Sequence, residues 1–475
     1  MPMSFAAGLY VHSTPQTRSL FFVEMPMRTR LACVMIKFYL LRHRALTSQW
    51  LRFFAAGIGV SFAAVSSVFA QEADWNQFRG PNGDGHAPSG IPLAWSTTDG
   101  IAWKVPIPGR GWSSPVVGTD RIYLTTAVAD DEDQDALGVD RELRALCLDA
   151  TSGEILWNQK VLHQDGASAP RIHKKNSHAS PTPILTKDRL FVHFGHMGTA
   201  CLDLDGEIQW SQSSLPYSPT HGNGSTPVLH EGLLIYGADA AKNPFIVALH
   251  AKSGDVAWRT PRSETRAKRK FSFASPSIFK PEGGGAAQLI SPASGAVFSY
   301  DPKTGQELWK AGYDEGYSVI PKPVFFGNLA FIGTGYDRAT AIAVRIDDES
   351  TGDVTESHRE WQITKRMAHT PSMLVAGDLL YVVSDGGIAS CIEPKTGDII
   401  WQERAGGSMS ASPIYSDGRI YLLDETGTCT VLKAGREFEI LSENALDERS
   451  LASPAIVGTD LLIRTEEHLF RISGK

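Results

Sequence analysis

The sequence predicts an all-β fold: an eight-bladed β-propeller of four-stranded antiparallel blades, with N- and C-terminal strands sharing the last blade. Three observations predict it. Tryptophans recur at Trp103, Trp157, Trp210, Trp258, Trp309, Trp361 and Trp401, with gaps of 54, 53, 48, 51, 52 and 40 residues. A Ser-Pro or Thr-Pro mark recurs with the same period, at Pro115, Pro181, Pro227, Pro276, Pro321 or Pro323, Pro371, Pro413 and Pro454. The two ends of the repeat are incomplete, and each supplies what the other lacks.

Each unit runs in one order. After the proline comes a short apolar run, a turn, a second apolar run, a strand of small residues, a Thr-Gly or Ser-Gly turn, and the tryptophan. Ile122-Tyr123-Leu124, Leu233-Leu234-Ile235 and Leu379–Val383 are β-prone runs. The turns at Thr151-Ser152-Gly153, Lys252-Ser253-Gly254 and Lys303-Thr304-Gly305 place glycine where positive φ is needed. No stretch past residue 75 sustains helical periodicity. About four strands fit in about 50 residues, the size of one propeller blade.

Closure follows from the ends. The last unit begins at Ala452-Ser453-Pro454, runs through Leu461-Leu462-Ile463 and Leu469–Ile472, and stops before any outer strand. Ile101-Ala102-Trp103-Lys104-Val105 is an outer-strand sequence with no blade before it. Pairing the two removes exposed edges. One tryptophan at the same place in each unit reads as packing between neighbouring blades, not as a cofactor stack.

The repeats Ala-Leu-Cys-Leu-Asp-Ala-Thr-Ser-Gly-Glu-Ile-Leu-Trp (145–157) and Ser-Tyr-Asp-Pro-Lys-Thr-Gly-Gln-Glu-Leu-Trp (299–309) resemble the pyrroloquinoline-quinone (PQQ) type repeat. That repeat occurs in quinoprotein alcohol dehydrogenases and in the propeller lipoprotein of the outer-membrane barrel assembly machinery. Trp75-Asn-Gln-Phe-Arg-Gly-Pro-Asn-Gly-Asp-Gly85 resembles the opening of secreted bacterial PQQ-like propellers. The resemblance spans residues 75–475. It implies the propeller fold, and either a scaffold role or a Ca²⁺- and PQQ-dependent oxidoreductase.

Residues 1–70 differ from the rest. Arg42, His43, Arg44 and Arg52 precede the apolar stretch 53–65, and Val68-Phe69-Ala70 offers small residues for cleavage after Ala70. The region reads as an export signal, with Met35 as an alternative start, followed by a single propeller domain over 71–475. Export to the periplasm or beyond is expected, without a stable membrane span once the signal is removed. No cysteine follows the cleavage position to take a lipid. Residues 71–475 carry 38 Lys/Arg against 51 Asp/Glu, a net of −13. That balance argues against a nucleic-acid platform.

The enzyme reading meets obstacles. The alcohol-oxidising relatives use Ca²⁺ beside the quinone, an Asp base and often a pair of adjacent cysteines. Cys147, Cys201, Cys391 and Cys429 are far apart and read as buried free thiols, and there is no haem-attachment motif. No cofactor is expected, with PQQ and Ca²⁺ the alternative. The acidic tract 130–135 reads as a solvated hairpin tip rather than a Ca²⁺ loop. His173, His178, His193, His196 and His221 read as hydrogen-bonding residues, with a metal site the alternative.

One pattern goes further. In a propeller the segment before each innermost strand lines the mouth of the central channel. Seven of the eight segments hold a basic or imidazole group, and the fifth holds Asp314, Glu315 and Tyr317 instead. A ligand site is expected at Arg110, Trp112, Lys174, His178, His221, Lys270, Tyr317, Arg366, His369 and Arg449. Cations focused at one opening suit an anionic small molecule or glycan, with Trp112 and Tyr317 as stacking surfaces. An envelope protein is the other expected class of partner. Acidic neighbours Glu264, Glu403 and Glu448 oppose the positive field.

Overall fold

The computed structural model describes residues 75–282, 284–313 and 316–474. The expected signal region 1–70 lies outside the described residues, as do Asp314 and Glu315. The described chain forms eight sheets, seven of four antiparallel strands and one that adds a fifth, parallel strand, arranged as an eight-bladed propeller, as the repeat predicts. The blades begin at Val116, Ile184, Val228, Ser277, Val324, Leu374, Ile414 and Ala455 and are numbered 1 to 8. Among the described residues no helix is long and apolar enough to cross a membrane.

Blade 8 closes the ring as the incomplete ends require. Its order is Ala455–Val457, Asp460–Arg464, His468–Ile472 and then Ile101–Pro106. The last two pair antiparallel, with Lys104 opposite Phe470 and Pro106 opposite His468. Arg464 locks the seam between blades 8 and 1. It is fully buried, and its Nη1 donates to Ser113 O at 3.1 Å, Ser113 Oγ at 2.7 Å and Thr125 O at 2.8 Å.

The rim repeats one joint. In blades 1 to 7 the register between third and outer strands slips at the same place, as between Cys147 and Leu148 or Cys201 and Leu202. Such a bulge re-aims the next side chain. In six of those blades the re-aimed residue is the repeat tryptophan, opposite Cys147, Cys201, Ala248, Ser299, Ala343 and Cys391. Six of the seven indole N–H groups donate to a carbonyl of the following blade: Ala150, Leu204, Ala251, Pro302, Pro394 and Gly435, at 2.8–3.1 Å. The ring rests on that blade's turn glycine. A Cβ on Gly305, at φ +72°, would stand 2.4 Å from Trp258.

Trp309 departs from the pattern. Its N–H donates to Gln288 Oε1 of its own blade at 2.8 Å. Blade 5 carries an insertion over 346–358, and its Gly352–Asp353 pairs in parallel with Glu307–Gly312. This fifth strand walls Trp309 in, leaving it 1 % exposed. The repeat spacing gives no sign of this insertion. The gap of 52 residues between Trp309 and Trp361 is ordinary because the hairpins of blade 5 are short. Blade 7 has no tryptophan. Ser442 occupies the position and donates to Leu93 O at 2.6 Å, and Trp95 packs in from the leading segment.

All four described cysteines are buried and unpaired. Burial pushes the Cys147 thiol up to about 12 and the Cys201 and Cys391 thiols up to about 11, away from reactive thiolates.

Candidate functional site

The Ser-Pro and Thr-Pro marks form a ring at the centre of the molecule. Ser114 N–H donates to Thr182 Oγ1, Thr182 N–H to Thr226 Oγ1, and Thr226 N–H to Ser275 Oγ, at 2.9–3.1 Å. Lys322 N–H then donates to Ser372 Oγ, Ser372 N–H to Ser412 Oγ, and Ser412 N–H to Ser453 Oγ, at 2.8–3.0 Å. Six of the eight blades thus give an amide just before the innermost strand to a hydroxyl of the next blade, which satisfies groups that burial would otherwise orphan. Proline follows each donor except Ser372, which Met373 follows, because that next position needs no amide. Blade 5 breaks the ring, with Lys322 where the others place Ser or Thr.

On one side of the ring the leading segment crosses the channel. Trp75 O accepts from Val117 N–H of blade 1, and Asn76 O accepts from Leu185 N–H of blade 2. Gly85 O accepts from Tyr415 N–H of blade 7, and His86 Nε2 lies 2.6 Å from Val375 O of blade 6. Gly83 lies against the Lys322 ammonium of blade 5. The segment therefore spans the channel and closes that end, with Phe78 facing the opposite side.

The other side opens as a cavity of about 710 Å³ lined by all eight blades. Aromatic rings and ring hydroxyls dominate its wall. Phe271 stands between His221 and Tyr317 at centroid distances of 5.6 and 5.4 Å, and Tyr317 meets Tyr336 at 5.9 Å. Tyr317 Oη accepts from Arg269 Nη1 at 3.0 Å and donates to Asp337 Oδ1 at 2.7 Å. His173 and His221 meet edge to face at 6.0 Å. Burial, the neighbouring His221 and the adjacent lysines lower the proton affinity of His173.

Of the ten expected site residues, the cavity gathers Trp112, His221, Tyr317 and His369. It adds His173, Lys175 and Arg269 from the same basic segments. The other six do not line it. Arg110 sits 3.5 Å from both Asp135 and Glu466, and Arg449 reaches Glu466 at 3.1 Å while lying over the Trp112 ring. Lys270 pairs with Glu264 at 2.6 Å in a separate cleft of about 750 Å³ next to the buried Arg262–Asp239 pair. Lys174 and Arg366 are exposed. His178 is held down at about 4 by burial and then by Arg141 and His196. Three of the five expected Lys and Arg residues thus pair with carboxylates.

The donor set does not suit Ca²⁺ beside a quinone. Among the described residues the cavity wall contains one carboxylate, Asp385, and it already accepts from His369 N–H at 2.6 Å, Thr370 N–H at 3.3 Å and Thr370 Oγ1 at 2.6 Å. Ca²⁺ takes six to eight oxygen ligands, several of them carboxylate. Among the described residues no three His, Cys, Asp or Glu side chains converge to hold a metal. His193 instead bonds Thr199 at 2.8 Å, and His196 bonds Asn223 at 3.0 Å.

The outer membrane protein assembly factor BamB of Shewanella oneidensis is 24% identical over 249 residues, covering 48% of this chain and 58% of the relative. The chain spans about half the length of the curated relatives it matches, or less. The crystal structure of BamB from Moraxella catarrhalis superimposes with a TM-score of 0.53 at 11% identity, over 79% of this chain and 97% of that one. A quinohemoprotein alcohol dehydrogenase from Comamonas testosteroni gives 0.56 at 12% identity, over 86% and 81%. These likenesses at low identity show a shared fold. The family model described as outer membrane protein assembly factor BamB matches residues 93–279 and 293–473, and the chain belongs to that family of PQQ-repeat propellers.

Proposed function

We propose that this propeller is an exported, non-catalytic binding module whose central cavity takes an anionic, ring-bearing ligand such as an acidic glycan. The observation that carries the reading is the blind cavity itself. Its wall combines Trp112, Phe271, Tyr317 and Tyr336 with a ring of Ser and Thr hydroxyls, the Arg269 guanidinium and three imidazoles. Aromatic faces cover apolar ring faces, hydroxyls meet polar edges, and Arg offers a fork to carboxylate or sulfate. Nothing in the wall is arranged as a nucleophile beside a base, so binding rather than turnover is the reading.

Calorimetric titration tests it, with oligogalacturonate as acidic probe, a neutral oligosaccharide of the same length, and PQQ with and without Ca²⁺. Saturable binding of the acidic probe that is weakened by Arg269→Ala and Tyr317→Ala supports the reading. Ca²⁺-dependent PQQ binding at one site per chain would replace it with an oxidoreductase.

A second reading rests on the family. The matched model and curated relatives are named as outer-membrane assembly factors. On this reading the propeller is a scaffold gripping an envelope protein. Deletion of the gene should then lower the amount of folded outer-membrane β-barrels, and unchanged amounts would count against it.

A further inference from the structure

The segment that closes the channel buries two cations without matching charge. Arg79 is 2 % exposed, and its Nη2 donates to Asp84 O at 2.9 Å. Its Nε and Nη1, both buried, have no partner among the described residues. Lys322 is 7 % exposed and breaks the hydroxyl ring from the blade side. Its Nζ lies so close to Gly83 that a Cβ there would stand 2.2 Å away.

The local charge does not balance. Arg79 acts on Lys322 through space, and among the described residues Asp84 is the only carboxylate that acts on either of them. Asp84 is partly exposed, and its Oδ1 is already taken by His86 N–H at 3.0 Å. Two buried cations against one carboxylate leave a net positive charge in low dielectric. Buried charges persist when they are paired, and Arg and Lys can only donate. Whatever completes the site must accept from both side chains and carry negative charge.

The packing limits its size. A Cβ on Gly85 would meet Arg79 Nη2 at 2.8 Å and Pro413 O of blade 7 at 2.9 Å. Together with Gly83 against Lys322, this sets backbone tight against both charged groups, which favours a small ion over a sugar or nucleotide. The two glycines let the backbone pass close to the charged groups, as in other backbone-lined anion sites.

We propose that Arg79 and Lys322 hold one buried monatomic anion, chloride under ordinary conditions, and that this ion pins the leading segment across the channel. Burial and the nearby Arg79 push the Lys322 amine down to about 7 when the ion is left out of account, so ion binding and Lys322 protonation reinforce one another. The proposal does not depend on what the cavity above binds.

Bromide-soaked crystals of the whole protein test it by anomalous scattering. One peak within hydrogen-bonding reach of Lys322 Nζ and of the Arg79 guanidinium is expected. No peak there, or a water alone, overturns the proposal. In solution the melting temperature should be about 2 °C higher in chloride than in gluconate at equal ionic strength. Lys322→Met should abolish that difference while keeping the fold. Equal melting temperatures in the wild type, or a Lys322→Met protein that still responds to chloride, also overturn it. If Lys322→Met does not fold, the bromide peak in the wild-type protein decides.

Discussion

Around the rim, six of seven tryptophans make the same bond to the same turn of the following blade. In the throat the side chains change from blade to blade: Trp112, then His173 and Lys175, His221, Arg269 and Phe271, Tyr317, His369. Both regions come from one repeat. The difference reflects what each position must do. A rim joint has to satisfy one indole N–H and one turn against a neighbour of fixed geometry, so one solution serves nearly every blade. Throat side chains face a shared cavity, where blades can diverge without loosening the joints. Repetition therefore marks what holds the ring together, and departures from it mark where a ligand or ion is met.

The comparison breaks first at the rim. Trp258→Ala should lower stability by on the order of 3–5 kcal/mol in denaturant unfolding, because it removes a large half-buried side chain and leaves a void between blades. A loss below about 1 kcal/mol would mean that the joints are not what holds the blades. Gly305→Ala and Gly377→Ala sharpen the point. Both glycines have positive φ, +72° and +61°, so both substitutions carry about 1–2 kcal/mol of backbone strain. Only Gly305 also faces a tryptophan; Gly377 has open space. The Gly305 variant should melt clearly lower, and equal melting would show that the tryptophan yields.

Next comes the hydroxyl ring. Ser412→Ala leaves the Ser372 N–H without its acceptor and should cost about 1–3 kcal/mol by the same unfolding measurement. Two buried histidines outside the cavity wall also predict an acid limit. Burial holds His193 at about 3 and His178 at about 4, below the value of about 6.5 for an unfolded imidazole. Between those limits the unfolded chain binds more protons, so stability rises with pH there. The melting temperature should fall as pH drops below about 6.5 and go on falling towards pH 4. His193→Gln should make that slope shallower, and an unchanged slope would place the acid sensitivity elsewhere. The smallest effect on stability belongs to the cavity wall. His221→Ala should leave the melting temperature nearly unchanged while weakening any cavity ligand, the reverse of the rim pattern.

Much of this was legible beforehand. The tryptophan spacing and the unfinished ends at Trp103 and Ile472 required eight blades and a shared last blade, because an edge strand left unpaired at either end would be open to association. The Ser-Pro marks were equally visible, but as a period. That their hydroxyls would each accept an amide from the preceding blade depends on neighbours about 50 residues away being brought side by side. Four of ten expected site residues reached the cavity. Position in the repeat was enough to find His221 and Tyr317. It could not show that Arg110 and Arg449 would share Glu466, because that glutamate comes from blade 8.

The sequence by itself determined the repeat, the blade count, the closure and the placing of a tryptophan at most joints, since periodic apolar runs and turn glycines act over a few residues. The tertiary structure decided the rest. It ran Trp75–Gly85 across the channel, put Arg79 beside Lys322, added Gly352–Asp353 to blade 4, and paired three of the five expected mouth Lys and Arg residues with carboxylates. Those outcomes depend on charges and carbonyls from distant parts of the chain meeting in a low-dielectric interior, and no local pattern encodes such meetings.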